Sequence, residues 1–127
     1  MKTILVDAYN TFVLEGTGIF EEMHTLLETF PNRKIVLTNA DDEQFKTFGL
    51  DKVPYEIFTL KHNPDKIDPK FYETMLAHFG LFAGDVVYFE HNAEAVASAQ
   101  SMGIQTHHYD KDAKDLKGLE AFLRENA

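Results

Sequence analysis

The chain has 127 residues, a length that fits one domain with one hydrophobic core. It contains no Cys, which excludes disulfides and thiolate metal sites and fits a cytoplasmic protein. A formal net charge of -9 argues against affinity for nucleic acid or anionic membrane, and no apolar run approaches the roughly 20 residues that span a membrane.

The first half of the chain alternates short apolar runs with a helical pattern. Thr3–Val6 is an apolar run that predicts a buried strand. Phe12–Thr17 predicts a loop or small hairpin, and apolar residues at helical spacing predict a helix over Ile19–Phe30. Lys34–Leu37 predicts a second buried strand, and Asp41–Phe48 a short helix capped by its first residue.

The second half continues the alternation. Tyr55–Leu60 alternates like a strand near the edge of a sheet. The other predicted elements, in chain order, are a helix over Pro69–His78, a strand over Asp85–Phe89, a helix over Ala93–Met102, a strand over Ile104–Tyr109 and a helix over Ala113–Arg124.

This alternation predicts one α/β domain over residues 1–127, in which helices cover both faces of a doubly wound parallel sheet of about five strands. Ligands bind beyond the carboxyl ends of the strands in such three-layer domains. Four polar residues directly follow the apolar runs there, namely Asp7, Thr38, Glu90 and His91. Each alone is explained by a turn or a helix cap, but their shared position at one sheet edge predicts a functional site.

Two segments of the first half resemble motifs of the haloacid dehalogenase (HAD) superfamily. ILVDAYNT resembles its first motif, with Asp7 at the position of the nucleophile and Thr11 at the last position. IVLTN resembles its second motif and supplies Thr38 and Asn39. The resemblance implies a carboxylate nucleophile that forms a covalent intermediate, which water then hydrolyses.

Two segments of the second half complete the resemblance, which covers residues 3 to 109. Lys66, in a KIDP segment before a helix, matches the lysine of the third motif. VVYFEHN matches the fourth motif and supplies Glu90, His91 and Asn92. The resemblance implies that a small phosphorylated or other anionic substrate is bound by Thr38, Asn39, Lys66 and Asn92.

The first motif departs from the pattern of the superfamily's phosphatases. Tyr9 replaces their second Asp, the general acid and base, and a phenol with a pKa near 10 is a poor base at neutral pH. We therefore expect lowered phosphatase activity, although Asp7, Tyr9 and Lys66 are the candidate catalytic residues. The Asp-x-Tyr pattern resembles the metal-free 2-haloacid dehalogenases, but the sequence leaves no room for their helical cap.

The fourth motif does not determine which metal, if any, the site binds. The resemblance implies Mg²⁺ held by Asp7, the carbonyl of Tyr9 and a carboxylate after the fourth strand, Glu90. His91 suits Mg²⁺ poorly and Zn²⁺, Mn²⁺ or Ni²⁺ better. Weak binding of Mg²⁺, another divalent metal or no metal are the three alternatives.

Three functions are consistent with these residues. The first is a HAD-type, phosphatase-like hydrolase acting through Asp7, and the second is a dehalogenase-type hydrolase. The third is a catalytically inactive relative that binds a ligand or a partner, which Tyr9 and His91 favour. An uncapped site would accept a large substrate or be covered by another copy of the chain.

Overall fold

The first strand of the sequence forms the centre of a five-stranded parallel sheet. The computed structural model describes residues 1–127. Its strands are β1 (Thr3–Asp7), β2 (Val13–Leu14), β3 (Gly18–Ile19), β4 (Lys34–Thr38), β5 (Glu56–Thr59), β6 (Val86–Glu90) and β7 (Gln105–His108). Its α-helices are α1 (Glu21–Glu28), α2 (Asp42–Thr47), α3 (Pro69–Phe79), α4 (Ala93–Ser101) and α5 (Leu116–Asn126). The strand order β5-β4-β1-β6-β7 confirms the predicted doubly wound sheet, with β5 at one edge.

The central strands are apolar because helices bury both faces of the sheet. All residues of β1, β4 and β6 are buried, as expected for interior parallel strands. Successive side chains point to opposite faces, so Ile4 packs with α1 and α5 while Leu5 packs with α3 and α4. The two resulting apolar clusters hold the sheet between helical layers, which confirms the three-layer prediction.

Two helices begin later than the sequence pattern predicts. Ile19 belongs to β3, and the next residue donates its backbone N–H to the carbonyl of Phe12, so α1 begins only at Glu21. Before α5, the carboxylate of Asp110 accepts two backbone N–H groups in a turn, and Asp115 then caps the helix. Local hydrogen bonds of the chain therefore override the apolar periodicity at both points.

Short connections leave the carboxyl edge of the sheet uncovered. A β2–β3 hairpin and α1 join β1 to β4, so the predicted hairpin is confirmed. Only α2 and a short 3-10 turn, Leu50–Lys52, join β4 to β5. Neither segment contains a cap domain, as the sequence predicts. No helix is both long enough and apolar enough to cross a membrane.

The order of the strands places a crevice beside β1. The chain runs from β1 outward to β4 and β5, then crosses to β6 on the other side of β1. Ligands bind in open α/β sheets at such a reversal, beyond the carboxyl ends of the strands. Pairing of Val6 with Phe89 puts the next residues, Asp7 and Glu90, side by side at that point.

Candidate active site

Lys66 links the two carboxylates at the end of the sheet. Its Nζ donates to Asp7 Oδ1 at 2.7 Å and to Glu90 Oε1 at 2.8 Å. The Lys66 side chain is only 8% exposed, and both carboxylates are 1% exposed. Asn39 positions this lysine, because its Oδ1 accepts the Lys66 backbone N–H at 2.8 Å. The structure therefore brings the third-motif lysine to the candidate nucleophile, as the sequence predicts.

The second oxygen of Asp7 accepts a separate set of donors. Thr11 Oγ1 donates to Asp7 Oδ2 at 2.7 Å, and the His91 backbone N–H lies 3.2 Å from the same oxygen. The Nδ1 of His91 is 2.5 Å from Asp7 Oδ2, and because an ionised carboxylate can only accept, we assign the shared proton to Nδ1. The carboxylate is thus fixed from both sides before any substrate binds.

Glu90 is held in the same network. Tyr88 donates its hydroxyl to Glu90 Oε1 at 2.5 Å, and the backbone N–H of Asn92 donates to Oε2 at 3.0 Å. Tyr88 is not among the site residues that the sequence predicts. Alternation along β6 carries the signal, since residues two apart on a strand share a face and Tyr88 therefore lies on the side of Glu90.

Charges within the network set the protonation states. Burial raises the pKa of Asp7, but the charge of Lys66 and the hydrogen bond with His91 outweigh burial and hold this pKa well below its ordinary value. Burial lowers the pKa of Lys66, yet Asp7 and Glu90 outweigh it and hold this pKa well above its ordinary value. Burial and then the charge of Asp7 raise the pKa of Glu90. Asp7 is consequently ionised at neutral pH, as a nucleophile must be.

Stability should depend on pH through Asp7 in a defined window. Because its folded pKa is lowered, its contribution is complete above the ordinary value near 4 and is lost as the pH falls toward the folded value. Between about pH 4 and pH 2.5, we expect the unfolding free energy of the wild type to fall faster than that of Asp7→Asn. Urea unfolding curves of both proteins test this, and parallel curves would contradict the lowered pKa.

The titration of Glu90 does not change the unfolding free energy within that pH window. Because the pKa of Glu90 is raised in the folded state, its contribution to stability is complete below about pH 4.3. That contribution is lost as the pH rises through the folded pKa. The effect of Glu90 therefore falls above the window in which Asp7 acts.

An open pocket of about 310 Å³ lies over this network. Its floor includes Asp7, Thr38 and Lys66, and its walls include Tyr9 and Phe48. The rings of Tyr9 and Phe48 stack with their centroids 4.2 Å apart. The pocket is large enough for a small anionic substrate, with the lysine and a hydroxyl at its base.

Two predicted substrate-binding residues use their side-chain carbonyl oxygens in structural hydrogen bonds. The Oδ1 of Asn92 caps α4 by accepting the backbone N–H groups of Glu94 and Ala95. Asn39 uses its Oδ1 to hold Lys66. Both asparagines line the pocket, and an anionic substrate would be bound by their Nδ2 amide donors, so their role in substrate binding stays a prediction.

Thr38 and Tyr9 both line the pocket. Thr38 Oγ1 accepts the Ala40 backbone N–H at 3.2 Å, which leaves its proton free to donate toward the pocket. Burial and the charge of Glu15 raise the pKa of Tyr9, so its phenol is no base at neutral pH. Its carbonyl as a metal ligand stays a prediction.

The predicted metal ligands contact each other. Ligand atoms of Asp7, Glu90 and His91 lie within 4.8 Å of one another, close enough to suggest a divalent cation. However, two oxygen or nitrogen atoms bound at right angles to one Mg²⁺ at 2.0–2.1 Å lie about 2.9 Å apart. The His91 Nδ1 and Asp7 Oδ2 atoms lie 2.5 Å apart, which is shorter, and the proton that they share occupies the space between them. In this arrangement the residues do not fit a shared metal ion.

Solved structures of other proteins share this fold. No protein-family model matches the sequence, and no curated protein matches it significantly. A mutant HAD-family enzyme from Bacteroides thetaiotaomicron, in complex with magnesium and inorganic phosphate, matches with a TM-score of 0.69 and 10% identity over 84% of this chain and 93% of that chain.

Two further structures extend the similarity. A HAD-superfamily hydrolase of subfamily IA from Geobacter sulfurreducens matches with a TM-score of 0.62 and 13% identity, covering 94% of this chain and 99% of the other. A dehalogenase matches with a TM-score of 0.59 and 22% identity over 74% of this chain, but this chain covers only 45% of that protein. The chain therefore has the fold of the haloacid dehalogenase superfamily.

Proposed function

We propose that the chain is a hydrolase that attacks a small anionic substrate with the Asp7 carboxylate. The observation that carries this proposal is the 2.7 Å bond from Lys66 Nζ to Asp7 Oδ1 at the base of an open pocket. An ionised carboxylate, a fixed ammonium and the hydroxyl of Thr38 converge there. These groups are what a covalent hydrolase needs to hold an anionic group beside a nucleophile.

The covalent step follows from this arrangement. An oxygen of Asp7 bonds to the phosphorus or carbon of the substrate, and the bond to the leaving group breaks with its electron pair. Thr38 donates to the anionic oxygens of the substrate, while Lys66, whose N–H groups are held by Asp7, Glu90 and the Leu37 carbonyl, supplies positive charge beside them. Water then attacks the acyl phosphate or ester, its proton passes to solvent, and the Asp7 carboxylate is restored.

The chemistry of the leaving group narrows the substrate class. Tyr9 stands where the superfamily's phosphatases have their general acid, and its pKa is raised. A leaving group of low pKa departs without being protonated, so acyl phosphates, aryl phosphates and alkyl halides fit better than alkyl phosphates. We therefore place activated phosphates first among substrates.

Turnover of acetyl phosphate and p-nitrophenyl phosphate tests this function. Activity of the wild type above that of Asp7→Asn is the expected result. If the two proteins are equally active, the hydrolase proposal fails, and an inactive binding protein becomes the better explanation. A shift in melting temperature caused by phosphate or beryllofluoride would then identify that binding role.

A dehalogenase is the second candidate, and the contact of His91 with Asp7 favours it. An imidazole N–H contacts one oxygen of Asp7 where a metal ion would otherwise neutralise the carboxylate, which suits a reaction that needs no metal. Single turnover in H₂¹⁸O separates the two chemistries. Attack of water on the carboxyl carbon of an alkyl ester places ¹⁸O in Asp7, whereas attack on phosphorus places it in the released phosphate.

A further inference from the structure

His91 occupies the side of the nucleophile that faces away from Lys66. Its Nδ1 lies 2.5 Å from Asp7 Oδ2 and 3.3 Å from Glu90 Oε2. Its side chain is 19% exposed, so its position is set mostly by the protein. The backbone carbonyl of His91 accepts a hydrogen bond from His108 Nε2 at 2.9 Å, which ties this loop to the end of β7.

Every carboxylate oxygen in the network already has a donor. Asp7 Oδ1 accepts from Lys66, and Asp7 Oδ2 accepts from Thr11 and His91. Glu90 Oε1 accepts from Lys66 and Tyr88. Glu90 Oε2 accepts from a backbone N–H. A divalent cation would have to break several of these buried, charge-assisted bonds in order to bind the same oxygens.

We infer that the His91 side chain takes the place of a divalent cation beside Asp7, so that the site works without bound metal. The hydrogen bond from Nδ1 orients and screens the carboxylate, as a metal ion otherwise would. Lys66 supplies positive charge at the other oxygen of Asp7. The His91 imidazole thus contacts both Asp7 at the end of β1 and Glu90 at the end of β6.

Metal binding tests this inference without any substrate. Calorimetric titrations of the wild type with Mg²⁺, Mn²⁺ and Zn²⁺ should show no saturable binding. His91→Asp offers a third carboxylate and removes the imidazole, and we expect it to bind Mg²⁺ at least about tenfold more tightly than the wild type. His91→Asn is the matched control, since it removes the imidazole without adding a charge, and it should not gain this affinity.

Two measurements on the wild type keep the inference falsifiable if the variants fold poorly. An exchange-protected, downfield proton signal on His91 Nδ1 should remain unchanged when Mg²⁺ is added. Turnover should also survive treatment with EDTA. Saturable binding of any of the three metals by the wild type, or loss of the His91 signal on addition of Mg²⁺, would overturn the inference.

The inference and the proposed function can fail separately. The titrations and the proton signal report on metal binding even in an inactive protein, whereas the EDTA measurement rests on the proposed function. Turnover that requires Mg²⁺ would refute the inference and leave Asp7 as nucleophile. Absence of both turnover and metal binding would refute the function and support His91 as the replacement of the cation.

Discussion

The Asp7→Asn variant is expected to hydrolyse acetyl phosphate at least about a thousandfold more slowly than the wild type. Asn has nearly the same shape as Asp, but its amide is not a nucleophile, so the covalent step is lost while the pocket keeps its form. Lys66 still pairs with Glu90 in this variant, which preserves part of the buried network. Initial rates with saturating substrate provide the measurement.

The matched control for this variant is Asp51→Asn. Asp51 is exposed in the 3-10 turn after α2 and lies outside the pocket. The control removes one negative charge from the chain without touching the site, and its rate should equal that of the wild type. A rate for Asp7→Asn within about tenfold of the wild type would contradict the role of Asp7, because losing a covalent nucleophile costs far more.

The Lys66→Met variant is expected to lose about 3–5 kcal/mol of unfolding free energy at neutral pH, together with its activity. Methionine fills a similar volume but leaves Asp7 and Glu90 buried without their shared cation. The two carboxylates then repel each other in a poorly solvated place. Urea unfolding monitored by circular dichroism measures the loss.

Two comparisons separate charge from packing in this result. Lys70→Met, on the exposed first turn of α3, should change stability by less than about 0.5 kcal/mol. Adding Glu90→Gln to Lys66→Met should recover part of the lost stability, because one of the two unpaired charges is removed. No recovery, or an equal loss in Lys70→Met, would indicate that the buried ion pairs are not the cause.

The sequence predicts where the site lies because position at a strand end follows from the apolar pattern. Asp7, Thr38 and Glu90 end consecutive buried runs, and parallel pairing brings such ends to one edge. The place of Lys66 came from the resemblance of its segment to a motif. Its bond to Asp7 requires the turn before α3 to be held against Asn39, a contact between residues distant in sequence.

The sequence does not predict the hydrogen-bond partners of each polar side chain. Asn92 matches a motif position, yet the nearest unsatisfied donors are the first N–H groups of α4, and its side chain caps them. The contact of His91 with Asp7 depends on the register between β1 and β6, which apolar runs of equal length leave undetermined. The sequence pattern predicts only that Tyr88 belongs to the core. Its hydrogen bond to Glu90 follows from the burial of that carboxylate beside it.

The covalent adduct on Asp7 tests the mechanism most directly. Acid quenching of the wild type during turnover of acetyl phosphate, followed by peptide mass spectrometry, should find a phosphoryl group on the peptide that contains Asp7. The adduct should be missing from Asp7→Asn treated in the same way. An adduct on any other residue, or burst-phase turnover without an adduct on Asp7, would contradict the mechanism in which Asp7 is the nucleophile.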